Sequence, residues 1–171
     1  MQSFKAEGPI AAVITPMRGD SINYDMVPEQ AKQLAHTGVH FAFICGTTGE
    51  VMSLSLEERM KLAETWKNAG DSHGCSVIVN IGTSTPCDSV TLAKHAEKIG
   101  VYAIAAFLPF YHKPNTISSA IQILEMYSKA APKLPLLYYH YPAITNIMID
   151  PCELFEQAVS EGMTVMMLEC I

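Results

Sequence analysis

The chain has 171 residues, 49% of them hydrophobic and only 16% charged, with a formal net charge of −6. That is enough apolar sequence for one domain with a sizeable core. It offers no basic cluster to hold a nucleic acid, no apolar run long enough to span a bilayer, and no charged-then-apolar leader at its start. The five cysteines are odd in number and form no CxxC, which reads as reduced thiols in a cytosolic protein rather than a disulfide framework or a zinc site.

In chain order, residues 9–16 are a short apolar strand closed by Pro16. Arg18-Gly19-Asp20-Ser21 is a turn. A first helix starts near Asp25 and runs to about Thr37, with Pro28 tolerated in its first turn and Gly38 ending it. Residues 39–45 form a second apolar strand. Ser55 and Glu58 make a capping box for a second helix whose apolar face is Leu56, Met60, Ala63 and Trp66; residues 68–72 are expected to end it. A third strand covers 76–82. Thr85-Pro86-Cys87-Asp88 opens a third helix, with Thr85 as its cap and Gly100 as its stop. A fourth strand, 101–108, runs into the aromatic loop Pro109-Phe110-Tyr111-His112. A fourth helix covers about 117–131, a fifth strand 136–139, a fifth helix opens at Asp150-Pro151 and runs to about Ser160, and a sixth strand covers 163–170.

This strict βα alternation, with strands that are continuous apolar runs, implies a parallel sheet buried on both faces. Periodicity alone leaves a doubly wound sheet and a (β/α)₈ barrel equally open. Between strand two and helix two lies Gly46-Thr47-Thr48-Gly49-Glu50. Two glycines permit close backbone approach, and two threonines bring two hydroxyls and two amides beyond a strand's carboxyl end, where α/β folds bind ligands. On chemistry alone this is either a cradle for a small anion such as a carboxylate or an ordinary turn. The six histidines show no metal-ligand spacing, so no metal is expected. Cys45 reads as a small buried strand residue, and His140, beside Tyr139, as a core or supporting histidine.

The combination of Gly46-Thr47-Thr48-Gly49-Glu50, Leu54-Ser55-Leu56-Glu57-Glu58-Arg59, Thr15-Pro16, Pro109-Phe110-Tyr111 and Tyr139-His140-Tyr141-Pro142-Ala143 resembles the pyruvate-dependent aldolases, the family of dihydrodipicolinate synthase and N-acetylneuraminate lyase. The resemblance covers roughly residues 8–165. It implies a (β/α)₈ barrel, of which this chain supplies a partial barrel of six parallel strands and five helices over residues 1–171, two βα units short of eight. After strand five, Pro142-Ala143-Ile144-Thr145-Asn146 lacks the arginine of the dicarboxylate-specific synthases, and Tyr138-Tyr139-His140 with Pro109-Phe110-Tyr111 resembles the animal N-acetylneuraminate lyases.

The activity so implied is cleavage of N-acetylneuraminate to N-acetylmannosamine and pyruvate through a lysine Schiff base. It needs no cofactor, and the family implies a cytoplasmic homotetramer. By the resemblance, Thr47 and Thr48 hold the pyruvate carboxylate, Tyr139 carries the proton, Phe110 and Tyr111 line the sugar side, and Thr145 sits near the substrate. Thr15 belongs at the rim. Two positions depart from the family pattern: Asn146 stands for a usual glycine, and Glu169 stands where the family carries its lysine. A carboxylate forms no imine, and Lys94, Lys98 and Lys113 are poorly placed to substitute. Two readings follow: a lyase, or a catalytically inactive form that binds ligand or full-length subunits.

Overall fold

The structure, a computed structural model, describes residues 4–163 and the backbone of 165–169. Six strands form one sheet in the order β1 (Ile10–Ala12), β4 (Phe41–Ile44), β5 (Ser76–Asn80), β6 (Ala103–Ala106), β7 (Leu136–His140) and β8 (Val165–Glu169), and every neighbouring pair is parallel. Between β1 and β4, a short antiparallel ribbon of β2 (Met17–Arg18) and β3 (Ser21–Ile22) occupies the expected turn. The helices are α1 (Val27–His36), α2 (Leu56–His73), α3 (Pro86–Ile99), α4 (Ile117–Ala130), the single turn α5 (Pro142–Thr145) and α6 (Pro151–Ser160). Sequential parallel strands joined through helices make a TIM-barrel-like partial barrel.

Burial follows the sequence logic. All four residues of β4 and of β6 are buried, as parallel strands covered on both faces must be. On α2 the buried stripe is Arg59, Leu62, Ala63, Trp66, Ala69 and Gly70, a three-to-four-residue repeat that packs against β5. Leu56 and Met60, expected on that face, are only half-buried at its edge.

Three expectations need correction. The second helix does not end at 68–72. It continues through Gly70 to His73, and Gly74 closes it with φ +71°. Gly70 is a contact residue, because a Cβ there would lie 2.2 Å from the Cys75 carbonyl oxygen. Thr85 is not a side-chain cap for α3; the Thr83 hydroxyl accepts from the Thr85 amide at 3.0 Å and donates to the Thr85 carbonyl at 2.6 Å, ordering the turn ahead of Pro86. The five expected helices are joined by a sixth, α5, which continues from β7 with Tyr141 alone between them. The Ser55–Glu58 box is present as read, with the Glu58 amide donating to Ser55 Oγ at 3.2 Å and the Ser55 amide to the Glu58 carboxylate at 2.8 Å. Of the last expected strand, Thr164 and Cys170 lie outside the described residues.

Candidate functional site

The carboxyl ends of β4, β6 and β7 converge on one place. Tyr139, on β7, is 2% exposed. Because side chains alternate along a strand, Tyr138 and His140 take the opposite face. There the Tyr138 hydroxyl lies 3.1 Å from His140 Nδ1, and burial pushes the Tyr138 phenol up to about 12. On its own face Tyr139 meets the edge of Phe43, ring centroids 5.2 Å apart and nearly perpendicular, and stacks on Tyr141 at 5.8 Å. The Tyr139 hydroxyl lies 3.2 Å from Thr47 Oγ1 across 92 residues of sequence.

Thr47 reaches that hydroxyl because the turn is held at both ends. Cys45, directly after β4, has φ +54°, and Glu50, after Gly49, has φ +53°. A non-glycine residue in this left-handed region costs on the order of 1–3 kcal/mol and persists where surroundings over-determine it. Gly46 leaves room for Phe43, whose ring would lie 2.7 Å from a Cβ at that position. Inside the turn, the Gly49 amide donates to the Gly46 carbonyl at 3.1 Å and the Glu50 amide to the Thr47 carbonyl at 3.0 Å. Thr15, 9% exposed, donates its hydroxyl to the Gly49 carbonyl at 2.7 Å, so the expected rim residue pins the turn from the segment that follows β1. The amides of Thr47 and Thr48 and the Thr48 hydroxyl receive no acceptor from the described residues. Both threonines are exposed. Three donors at a sheet's carboxyl edge therefore remain available to a ligand.

A cavity of about 190 Å³ adjoins this edge, with Thr47, Glu50, Phe107, Phe110, Tyr141 and Thr145 among its lining. Thr145 is buried and spends its hydroxyl locally, donating to the Tyr141 carbonyl at 3.0 Å and accepting from the Ile147 amide at 3.3 Å. It shapes the wall by closing α5. Asn146 follows with φ +50°, a conformation glycine takes freely and asparagine tolerates better than most residues. Phe110 lines the cavity, but Tyr111 is 78% exposed, sits edge-on to His112 at 4.9 Å and is not part of the lining. Thr48 likewise lies outside it.

Glu169 ends β8 opposite His140, and its side chain lies outside the described residues. Lys94 and Lys98 are exposed on α3, and Lys113 Nζ is 3.4 Å from the Asn146 carbonyl, to which it donates. Among the described residues no group of histidine, cysteine and carboxylate side chains is arranged to hold a metal, and no helix is long and apolar enough to cross a membrane.

Sequence reasoning passed over two residues under the turn. Asn80, fully buried at the end of β5, donates Nδ2 to the Cys45 carbonyl at 2.7 Å and accepts at Oδ1 from the Gly82 amide at 3.0 Å. Arg59, 3% exposed, donates Nη2 to the Asn80 carbonyl at 2.8 Å. Burial pulls its guanidinium below the usual range, opposed by the neighbouring Cys45, and burial pushes the Cys45 thiol up to about 11. The signals were present: an asparagine inside an apolar strand, and an arginine in phase with Leu62, Ala63 and Trp66 on a helix.

The family model for the dihydrodipicolinate synthetase family matches residues 5–163. The chain belongs to that family. Among curated proteins, it is 40% identical over 154 residues to the N-acetylneuraminate lyases of Pongo abelii and Homo sapiens, matching 89% of this chain and 48% of each relative. It therefore spans about half the length of the curated relatives it matches. Among solved structures, the Proteus mirabilis N-acetylneuraminate lyase superposes with a TM-score of 0.90 at 31% identity, covering 98% of this chain and 57% of that one. The sialic acid aldolase of Aliivibrio salmonicida gives 0.87 at 31% identity, covering 92% and 52%. Membership fits the partial barrel and its parallel order.

Proposed function

We propose that this site takes an α-keto acid of the pyruvate type, as the ketoacid-binding half of an N-acetylneuraminate-lyase site. The carboxylate lies on the amides of Thr47 and Thr48 and the Thr48 hydroxyl, while the Thr47 hydroxyl stays against Tyr139. The keto oxygen faces the Tyr139 hydroxyl, which exchanges a proton there. The observation that carries this reading is the 3.2 Å approach of Thr47 to Tyr139 beside donors still open to a ligand. Glu50 lines the same cavity, so an anionic group is repelled from that wall and directed to the threonines. A cavity of about 190 Å³ suits a ligand of a few heavy atoms. Phe110 and Thr145 face the direction in which the acyl-sugar part of N-acetylneuraminate would extend.

Cleavage of N-acetylneuraminate into N-acetylmannosamine and pyruvate requires an amine to form the imine that draws electrons from the breaking carbon–carbon bond. The position that the resemblance gives to that lysine reads Glu169. The 171-residue chain accordingly binds pyruvate without forming an imine and does not turn the sugar acid over. Borohydride reduction in the presence of pyruvate, followed by intact-mass measurement, tests this. The expected spectrum shows unmodified protein, and a pyruvyl group reduced onto a lysine would overturn the non-covalent reading. Pyruvate should also slow amide exchange in peptides covering residues 45–51; no such effect removes the site assignment.

A further inference from the structure

The turn that carries Thr47 and Thr48 is strained at its entry, and the groups that hold Cys45 in place come from outside the turn. We propose that Asn80, backed by Arg59, is a positioning residue: its side-chain amide bridges the ends of β4 and β5, holds Cys45 left-handed, and thereby aims Thr47 at Tyr139 and sets the two threonine amides for a carboxylate. The carboxylate part of this inference rests on the function proposed above; the positioning part does not.

The bridge is specific in its chemistry. Asn80 is fully buried and uses both ends of its amide. Nδ2 donates to the carbonyl of Cys45, the residue at φ +54°, and Oδ1 accepts from the amide of Gly82 two residues further along its own chain. The Asn80 backbone is fixed in turn by its pairing with Ala105 and by Arg59 Nη2 on its carbonyl at 2.8 Å. Arg59 stands on α2, whose cap follows the turn within a few residues, so one helix braces both sides of the loop. An aspartate at position 80 would keep the shape and the acceptor but remove the donor, setting an oxygen against the Cys45 carbonyl. A leucine would remove both bonds and leave that carbonyl without its partner, which a buried polar group tolerates poorly.

Hydrogen–deuterium exchange of the purified chain reads the effect directly. In the unaltered protein the Gly49, Glu50 and Val51 amides are bonded within the turn. For Asn80→Leu, exchange in peptides covering 45–51 should quicken by about tenfold or more, as expected from losing a buried hydrogen bond. Exchange in peptides covering 41–44 and 103–106 should stay unchanged. Should Asn80→Leu fail to fold, Asn80→Asp carries the same test through its missing donor. Arg59→Lys, which keeps a donor, should recover more of the protection than Arg59→Met.

Pyruvate gives the second arm, because its added protection of 45–51 should be lost in Asn80→Asp at concentrations that protect the unaltered chain. Local loosening in the variants without any pyruvate effect on the unaltered chain upholds the positioning role and refutes the keto-acid reading. Unchanged exchange at 45–51 in a folded Asn80 variant, or loosening spread evenly over the core strands, overturns the positioning role.

Discussion

Replacing Gly70 by alanine sets two well-characterised effects against each other. In a helix interior, glycine to alanine ordinarily stabilises by about 1 kcal/mol. Gly70 lies inside α2, three residues before its end, and its φ is not left-handed, so backbone conformation gives no reason to keep glycine. The surroundings do. A Cβ would lie 2.2 Å from the Cys75 carbonyl oxygen and 3.2 Å from Val77 Cγ2. The nearer atom is backbone, and no rotamer change relieves the contact; the end of α2 must move by about 1 Å relative to β5, disturbing a dense core. That movement strains the bond from the Cys75 amide to the Gly70 carbonyl, 2.9 Å, which ties helix to strand.

Overpacking costs roughly 1–3 kcal/mol, and a clash against fixed backbone belongs at or above the top of that range. After the helix gain is subtracted, a net loss of about 2 kcal/mol remains, a fall in Tm of about 4–8 °C for a chain of this size. Trp66 is fully buried on the same helix and is the single tryptophan, so its fluorescence follows unfolding without a label. Gly74→Ala is the contrast, since nothing lies within 4 Å of a Cβ there and only its φ of +71° opposes the change. A Gly70→Ala protein as stable as the original, or more stable, would refute the argument that contact rather than propensity decides this position.

Two further outcomes are expected. The Cys45 thiol titrates near 9.0 when free and is pushed up to about 11 by burial; the unfolded chain therefore loses its proton first, and stability falls as pH rises from about 9 towards 11. Urea unfolding across that window should show a decline that Cys45→Ala flattens, and an equal decline in both proteins would disprove the assignment to this thiol. Ser55→Ala removes both the acceptor for the Glu58 amide and the hydroxyl on its carboxylate, and should lower Tm by about 2–4 °C without affecting pyruvate protection of residues 45–51; loss of that protection would mean that the cap also orders the turn.

The sequence alone determined the parallel order, because apolar runs alternating with capped amphipathic helices leave a chain few other arrangements. It also singled out one βα junction, the one that pairs two glycines with two adjacent threonines, without deciding between an anion cradle and an ordinary turn. Its errors were local and have physical causes. Residues 68–72 read as a helix end, yet the helix runs through them to His73, and the glycine at 70 answers to a carbonyl that arrives from the next strand. Thr85 reads as a side-chain cap, yet its hydroxyl caps nothing, because Thr83 bonds the Thr85 backbone and orders the turn before Pro86. Thr145 lies in the cavity wall, and that its hydroxyl is taken up by the turn of α5 is something no sequence pattern shows.

Only the tertiary structure could bring Thr47 within 3.2 Å of Tyr139, or place an asparagine from β5 beneath the end of β4. Those contacts span 92 and 35 residues, and no periodicity encodes them. They exist because parallel strands in sequential order deliver their carboxyl ends to one rim, where side chains from distant segments meet.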